Sequence, residues 1–289
     1  MNSIDRYAVV GDGIAHSRSP QIHALFAKAT HQQLEYGLID VPPAAFVSVV
    51  RNFFRDGGRG LNVTVPHKEA ALRLADTLTP RAQRASAVNT LARGDDRKLL
   101  GDNTDGAGLM RDLTVNLSCK LHGARVLLLG AGGAARGIVA PLLEAGVASL
   151  VISNRHGARA KQLAGEFADL GPVTAAPAAN AAVRGRARGT HDAGFDLIIN
   201  ATSASLRGEL PQIPAGAVGT QTLAYDCAYG ERDTVFMHWA RSAGAARAVM
   251  GLGMLVEQAA DSFLLWRGVR PDTEPVLAAL AQRPRDQTS

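Results

Sequence analysis

Lys68 stands where a cation is least expected. It follows NVTVPH and opens HKEAALRLAD, a stretch with the apolar spacing of a helix. A positive side chain in a first turn faces the positive end of the helix dipole, at a cost of about 0.3–1 kcal/mol. An ammonium group kept there has a chemical use. It can stabilise negative charge growing on a carbonyl oxygen and hand that oxygen a proton. The bland alternative is a surface lysine tolerated beside Glu69. A second chemical feature is the set Gly130, Gly132 and Ala135, which fits G-x-G-x-x-G/A. Its glycines permit a tight turn and a close backbone approach to a pyrophosphate, and the helix start supplies unpaired N–H groups.

That glycine pattern carries weight because of its setting. ARVLLLG (124–130) reads as a strand buried on both faces, and GAARGIVAPLLEAG after it reads as a helix. In sites for NAD the following strand usually ends in an acid that holds the ribose 2′-hydroxyl. Here it ends in Ser153, Asn154, Arg155 and His156, with Arg159 one turn on and no carboxylate. Two guanidinium groups and an imidazole suit a dianionic 2′-phosphate. The expected cofactor is therefore NADP(H).

The elements that must position these groups alternate. RYAVVG (6–11), LEYGLID (34–40) and GLNVTVP read as strands. Between them, SPQIHALFAKATH reads as a helix with Ser19 as N-cap and Pro20 at the first helical position. PAAFVSVVRNFFRDGG reads as an amphipathic helix closed by glycine. NTLAR and KLLGD predict a hairpin over 89–102. Pro141 is expected to kink its helix or remove one backbone bond. SLVISNR, KQLAGEFADLG, FDLIINAT and TLAYDC continue the rhythm. Residues 175–194 read as a long surface loop, GMLVEQAADSFLLWRGV (253–269) as an apolar helix, and RPRDQTS as a frayed tail. The alternation predicts an α/β fold with a mainly parallel sheet and helices on both faces.

A chain of 289 residues allows one large or two ordinary domains, and a hydrophobic fraction of 46% is enough for full cores. The sequence has no apolar run of membrane-spanning length and no signal pattern, so no membrane partner is expected. Cys119 and Cys227 suggest neither a disulfide framework nor a metal knuckle, and the histidines do not cluster. No metal is expected, and the reducing cytoplasm is the expected compartment. The formal charge is +5, with one dense basic stretch, VRGRARG (183–189). That stretch lacks interleaved aromatics and reads as a solvated loop, not as a nucleic-acid site. The charge also suits an anionic small-molecule substrate.

Taken together, SRSP (17–20), NVTVPHK (62–68), AVNTL (87–91), GDNTDG (101–106), GAGGAA (130–135), NRHGARA (154–160), NATS (200–203) and GLGMLVEQ (251–258) resemble shikimate dehydrogenases, in the right order along nearly the whole chain. The resemblance implies a two-domain α/β fold. Residues 1–104 and 251–289 would form a substrate-binding domain, residues 105–250 a Rossmann-type NADP-binding domain, and the cleft between them would hold shikimate or 3-dehydroshikimate. It implies Lys68 as catalytic acid/base coupled to Asp105. Ser17, Ser19 and Tyr229 would bind the substrate carboxylate. Asn62, Thr64, Asn89 and Gln258, with Asp105, would hold the ring hydroxyls. Gly130, Ala131, Gly132, Gly133 and Ala134 would cradle the pyrophosphate. Asn154, Arg155, His156 and Arg159 would surround the 2′-phosphate, and Thr202, Cys227 and Gly251 would complete the cofactor side.

The implied reaction is the reversible NADPH-dependent reduction of 3-dehydroshikimate to shikimate in aromatic biosynthesis, by a monomer or homodimer. The residue chemistry agrees, because a small polyhydroxylated acid calls for many neutral donors and acceptors in fixed geometry. Departures from the family are Met250 before GLGM, Cys227 where a bulky apolar residue is common, His156 where threonine is common, and the absence of a proline after Tyr229 in GERDTVFM. Two rival readings stand beside the main one. A quinate/shikimate dehydrogenase using NAD would favour an acid after SNR. A non-catalytic NADP-binding sensor would have lost Lys68 or Asp105.

Overall fold

Alternation along β1 (Asp5–Gly11) sorts the first half of the chain into two packed faces. Ala8 and Val10 point into a core with Val50, Phe54, Leu61 and Val63. Tyr7, pointing the other way, stacks on Trp266 at 4.8 Å between ring centroids. A period of two is what a strand covered on both sides requires. The computed structural model describes residues 4–177 and 194–281. The chain divides into two units, Met1–Leu109 with Leu255–Ser289, and Met110–Met254.

The first unit runs β1, α1 (Ser19–Ala29), β2 (Leu34–Asp40), α2 (Phe46–Arg55), β3 (Gly58–Val63), α3 (Lys68–Leu72), β4 (Thr77–Leu78), α4 (Pro80–Ala85), β5 (Thr90–Arg93), β6 (Leu99–Asp102) and the start of α5 (Asp105–Arg111). Its sheet has the order β2-β1-β3-β5-β6-β4. β1 is parallel to β2 and β3, whereas β5 is antiparallel to both β3 and β6. The hairpin over 89–102 is present, and it makes this sheet mixed. Gly60 is glycine for a packing reason: a Cβ there would overlap the Trp266 indole.

The second unit holds β7 (Arg125–Leu129), α6 (Gly133–Glu144), β8 (Ser149–Asn154), α7 (Gly157–Glu166), β9 (Val173–Pro177), β10 (Phe195–Asn200), β11 (Val218–Asp226), α8 (Val235–Ser242) and β12 (Arg247–Met250). α9 (Leu252–Arg267) and α10 (Glu274–Ala281) close the chain. The sheet order is β12-β11-β10-β7-β8-β9, parallel throughout. Val126 to Leu129 of β7 are at most 1% exposed, as a strand covered on both faces demands. The strand order reverses on either side of β7, which creates a topological switch point at its carboxyl end.

Several sequence expectations need correction. Ser19 is not the N-cap of α1. Arg18 holds that position with no side-chain cap, Ser19 is the first helical residue, and the Ser17 Oγ meets the Ser19 N–H at 3.3 Å. β3 ends at Val63 and not at Pro66, because the Thr64 carbonyl turns back to accept the His67 N–H. α3 spans only Lys68–Leu72 of the expected longer helix. The segment PAA is a 3-10 turn ahead of α2. Pro141 lies in the last turn of α6, which continues to Glu144, so one backbone bond is missing without an early stop. Residues 173–177 form β9 along β8, where the sequence predicts loop from 175 onward. The basic stretch 183–189, the rest of that expected loop and RPRDQTS lie outside the described residues.

Candidate active site

The local fold around Lys68 explains its place in a first turn. His67 is 2% exposed, stacks on Phe46 at 4.3 Å and bonds through Nε2 to the Val41 carbonyl at 2.9 Å. That anchor turns the next side chain toward Asp105, and the Lys68 Nζ donates to Asp105 Oδ2. Asp105 is the first residue of α5, where a carboxylate is favoured by the helix dipole. The pair is almost closed off, with side-chain exposures of 12% and 6%.

Asp105 is in turn held by a buried polar cluster of the first unit. The Asn89 amide donates to Asp105 Oδ1 at 2.9 Å and to Thr104 Oγ1 at 2.9 Å, and reaches Gln258 Oε1 at 3.2 Å. The Thr104 N–H donates to Asn89 Oδ1 at 2.8 Å. Asn62 accepts from the Tyr36 hydroxyl at 2.7 Å and donates to Ser262 Oγ at 2.9 Å and Thr90 Oγ1 at 3.2 Å. Gln258 and Ser262 share one face of α9 through i, i+4 spacing, and Gln258 is tied to the Leu255 carbonyl at 2.9 Å. The turn leading to Asp105 is pinned from behind. Arg81 donates to both oxygens of Asp102, at 2.7 and 2.5 Å, and Thr79 adds a third bond at 2.5 Å. Burial would raise the Asp102 carboxyl, but the bonds from Arg81 and Thr79 and the Arg81 charge outweigh it and hold the group below the usual range.

The structure thus brings Lys68, Asp105, Asn62, Asn89 and Gln258 into one connected set. Ser17 and Ser19 adjoin each other, 3.3 Å between hydroxyls. Thr64, half-buried, bonds through its N–H to the Val10 carbonyl at 2.9 Å. Tyr229 is half-buried in the second unit, in the segment between β11 and α8. Thr90, Thr104, Ser262 and Tyr36 join the set without being singled out by the sequence. Thr104 stands inside GDNTDG, and Ser262 is a polar residue one turn beyond Gln258 in an apolar helix, so a signal for these two exists.

In the second unit the glycine loop sits at the switch point. Gly130 has φ +115°, and a Cβ there would lie 3.0 Å from the Ala201 carbonyl oxygen, so only glycine fits. Gly132 caps α6 without any side-chain cap, and a Cβ on it would meet nothing within 4 Å. The fold itself does not require glycine at 132, and the open space above the loop fits a pyrophosphate resting on the α6 N–H groups. Past β8, Asn154 donates to the His156 carbonyl at 3.1 Å and shapes the turn. Arg155, His156 and Arg159 are exposed, and neither arginine makes an ion pair among the described residues. Two guanidinium groups without ion-pair partners there suit a dianion.

The end of β10 completes this rim. Thr202 donates through Oγ1 to Asn200 Oδ1 at 2.7 Å, and Asn200 donates to Asp226 Oδ1 at 3.0 Å. Asp226 is fully buried, and burial raises its carboxyl despite bonds from Ser205, Thr234, the Ala228 N–H and Asn200. A Cβ on Gly251 would come 2.7 Å from the Cys227 carbonyl oxygen, so backbone contact explains that glycine without a ligand. Gly253 is equally constrained. A Cβ there would overlap the Asp112 carboxylate, and Asp112 is 4% exposed and accepts from the Tyr225 hydroxyl at 2.6 Å. Gly253→Ala is therefore expected to lower stability by about 3 kcal/mol through overpacking and the loss of that bond. Denaturant unfolding measures this, and an unchanged midpoint would show that Asp112 can move aside freely.

Three family models match the chain: the shikimate dehydrogenase substrate binding domain over residues 9–91, shikimate / quinate 5-dehydrogenase over 112–206, and the shikimate 5'-dehydrogenase C-terminal domain over 251–281. The shikimate dehydrogenase (NADP(+)) of Aeromonas salmonicida is 53% identical over 277 residues, 96% of this chain and 97% of that protein. Among solved structures, an Ael1 enzyme from Pseudomonas putida has a TM-score of 0.84 at 46% identity, covering 96% of this chain and 98% of its own. The shikimate 5-dehydrogenase of Thermus thermophilus, solved with NADP(H) and shikimate, has a TM-score of 0.81 at 33% identity, covering 96% of this chain and 98% of its own. On its fold, its glycine loop and its kinship over nearly its whole length, this chain belongs to the shikimate dehydrogenase family.

Proposed function

We propose that this protein catalyses the reversible NADPH-dependent reduction of 3-dehydroshikimate to shikimate, with Lys68 as the proton donor. The observation that carries the reading is the enclosed Lys68–Asp105 pair, held by Asn89 in a chain whose relatives are named for that reaction. NADPH, when bound, supplies the hydride to the carbonyl carbon. The chain's own residues do the rest. The Lys68 ammonium stands at the carbonyl oxygen, stabilises the charge that gathers there and transfers one proton to give the hydroxyl. Asp105 fixes the ammonium through its carboxylate, and Asn89 holds that carboxylate in turn. Lys68 regains its proton from solvent. In the oxidative direction neutral Lys68 accepts the hydroxyl proton.

In this reading Ser17, Ser19 and Tyr229 bind the substrate carboxylate, and Asn62, Thr64, Asn89 and Gln258 hold the ring hydroxyls. Residues 1–104 and 251–289 serve the substrate, and residues 105–250 serve the cofactor. The loop Gly130–Ala134 takes the pyrophosphate. Asn154, Arg155, His156 and Arg159 take the 2′-phosphate, Thr202 contacts the cofactor, and Cys227 and Gly251 line the nicotinamide side. The protein works as a monomer or homodimer in the cytoplasm. The test is to follow NADPH oxidation by its near-ultraviolet absorbance with 3-dehydroshikimate and to identify the product. Turnover that yields shikimate is expected, and no turnover by the folded protein would refute the reading.

Cofactor choice gives a separate prediction. A charge-assisted hydrogen bond contributes about 1.5–3 kcal/mol, so Arg155→Ala should raise the KM for NADP roughly ten- to a hundredfold. The KM for NAD, which lacks the phosphate, should change little. Equal effects on both cofactors would show that Arg155 does not read the phosphate.

A further inference from the structure

Outside the Lys68 set, the first unit carries a second concentration of charge. A cavity of about 490 Å³ is lined by Arg51, Arg55, Arg73, Arg93 and Arg97, with a single carboxylate, Asp76. We propose that this cavity is a binding site for a small molecule bearing two or more phosphoryl or carboxylate groups, separate from the substrate and cofactor sites.

The arginines are weakly compensated. Arg55 pairs with Asp56 at 3.2 Å. Arg93 is half-buried, and its Nη1 donates at 2.6 Å to the Phe54 carbonyl, which neutralises no charge. Asp76 is occupied as an acceptor for the Leu99 N–H at 2.8 Å. Arg51, Arg73 and Arg97 make no ion pair among the described residues. Arg55 and Arg73 sit at the C-terminal ends of α2 and α3, where cations are favoured in any case. Arg93 shares that reason through its bond to the Phe54 carbonyl at the end of α2, whereas Arg51 and Arg97 do not. Arg97 adopts φ +66° in the turn between β5 and β6, a conformation that glycine would take at lower cost. The backbone therefore does not explain why an arginine is there.

The chemistry selects the ligand class. Guanidinium groups present paired donors that match carboxylate and phosphate oxygens, which lysines would not do. Phe54 and Leu74 add apolar wall to the same cavity. The volume lies in the range of small-molecule sites, and a single compact spot differs from the extended basic stripe that a nucleic-acid strand needs. Like charges around one cavity repel, and a multivalent anion removes that repulsion on binding.

The test is calorimetric titration with pyrophosphate at fixed ionic strength. Saturating NADPH keeps pyrophosphate out of the Gly130–Ala134 loop, and because NADPH itself carries phosphoryl groups the titration is repeated without it, where the component that Arg51 and Arg97 govern is the cavity's. One-to-one binding is expected. Arg51→Gln and Arg97→Gln should each weaken it about tenfold, the loss of one charged contact. Both side chains are exposed and without ion pairs, so both variants should melt as the parent does. Lys28→Gln, an exposed lysine of the same unit, should leave binding unchanged. Citrate in place of pyrophosphate separates carboxylate from phosphoryl ligands, and the tighter binder identifies the source. Absence of saturable binding at millimolar anion would overturn the proposal. So would binding that ignores Arg51 and Arg97, or that weakens equally in Lys28→Gln and so reports only the general charge. The cavity variants decide the matter even if NADPH does not bind, so this outcome is separate from the fate of the Lys68 reading.

Discussion

Lys68→Ala is expected to lower turnover by roughly 10²–10⁴-fold, the usual contribution of a positioned acid–base group. The ammonium meets its strongest partner only when the carbonyl oxygen gathers charge, so its removal should be felt in kcat far more than in binding. Shikimate affinity should fall modestly, since Ser17, Ser19, Asn62, Asn89 and Gln258 remain. Folding should survive. Alanine is a good helix former, and α3 takes its anchor from the buried His67 ring rather than from Lys68. Asp105 would lose its cation but keep the Asn89 amide at 2.9 Å, at a cost on the order of 1–3 kcal/mol. Steady-state rates and shikimate calorimetry on a variant shown to be folded by its melting curve decide between catalytic and structural roles.

A second large effect concerns pH and a residue away from the chemistry. His23 on α1 is fully buried, stacked on Tyr36 at 4.0 Å, and neither ring nitrogen has a hydrogen-bond partner. Burial pushes its pKa down from 6.5 to about 3, outweighing an opposing influence from Asn62. The folded-state value is lower than the unfolded one, so between pH 6.5 and about 3 the unfolded chain binds the extra proton. Stability therefore falls as pH falls through that window, by about 1.4 kcal/mol per pH unit from this group alone. His23→Phe keeps an aromatic ring against Tyr36 and removes the titration. Its absolute stability is free to shift with the altered packing, but the slope below pH 6.5 should become shallower by about that amount. Denaturant unfolding at several pH values measures it, and identical slopes for parent and variant would show that His23 is charged or solvated in the folded state.

What is legible in the sequence depends on how local the cause is. The stretch VLLLG followed by small residues announces a buried strand, a glycine turn and a helix, because each of those preferences acts within a few residues. The Arg155–Arg159 pair is legible for the same reason. Ser19 misleads because a serine before proline looks like a cap, whereas Ser17 two residues earlier supplies the oxygen. The end of β9 reads as loop because its residues AAP (175–177) offer little strand propensity. It is a strand because β8 supplies its ladder, and a proline is tolerated on such an edge. Within the site, Lys68, Asn89 and Asp105 are marked by their motifs. Ser262 carries only the weaker signal of a polar residue one turn beyond Gln258, and Tyr36 carries none, since its meaning comes from the distant Asn62 that it meets. Asn62 and Ser262 are 200 residues apart in sequence and 2.9 Å apart in space.

Substrate and cofactor choice are tested together by comparing initial rates for shikimate and quinate, each with NADP and with NAD. Quinate carries an extra hydroxyl and a saturated carbon where shikimate is planar, a difference that the proposed carboxylate site at Ser17 and Ser19 would meet. The chain also has Arg155 just after β8, Arg159 in the first turn of α7, and no acid between them. The highest kcat/KM is expected for shikimate with NADP, with clear losses on changing either partner. A comparable or higher value for quinate with NAD would contradict it.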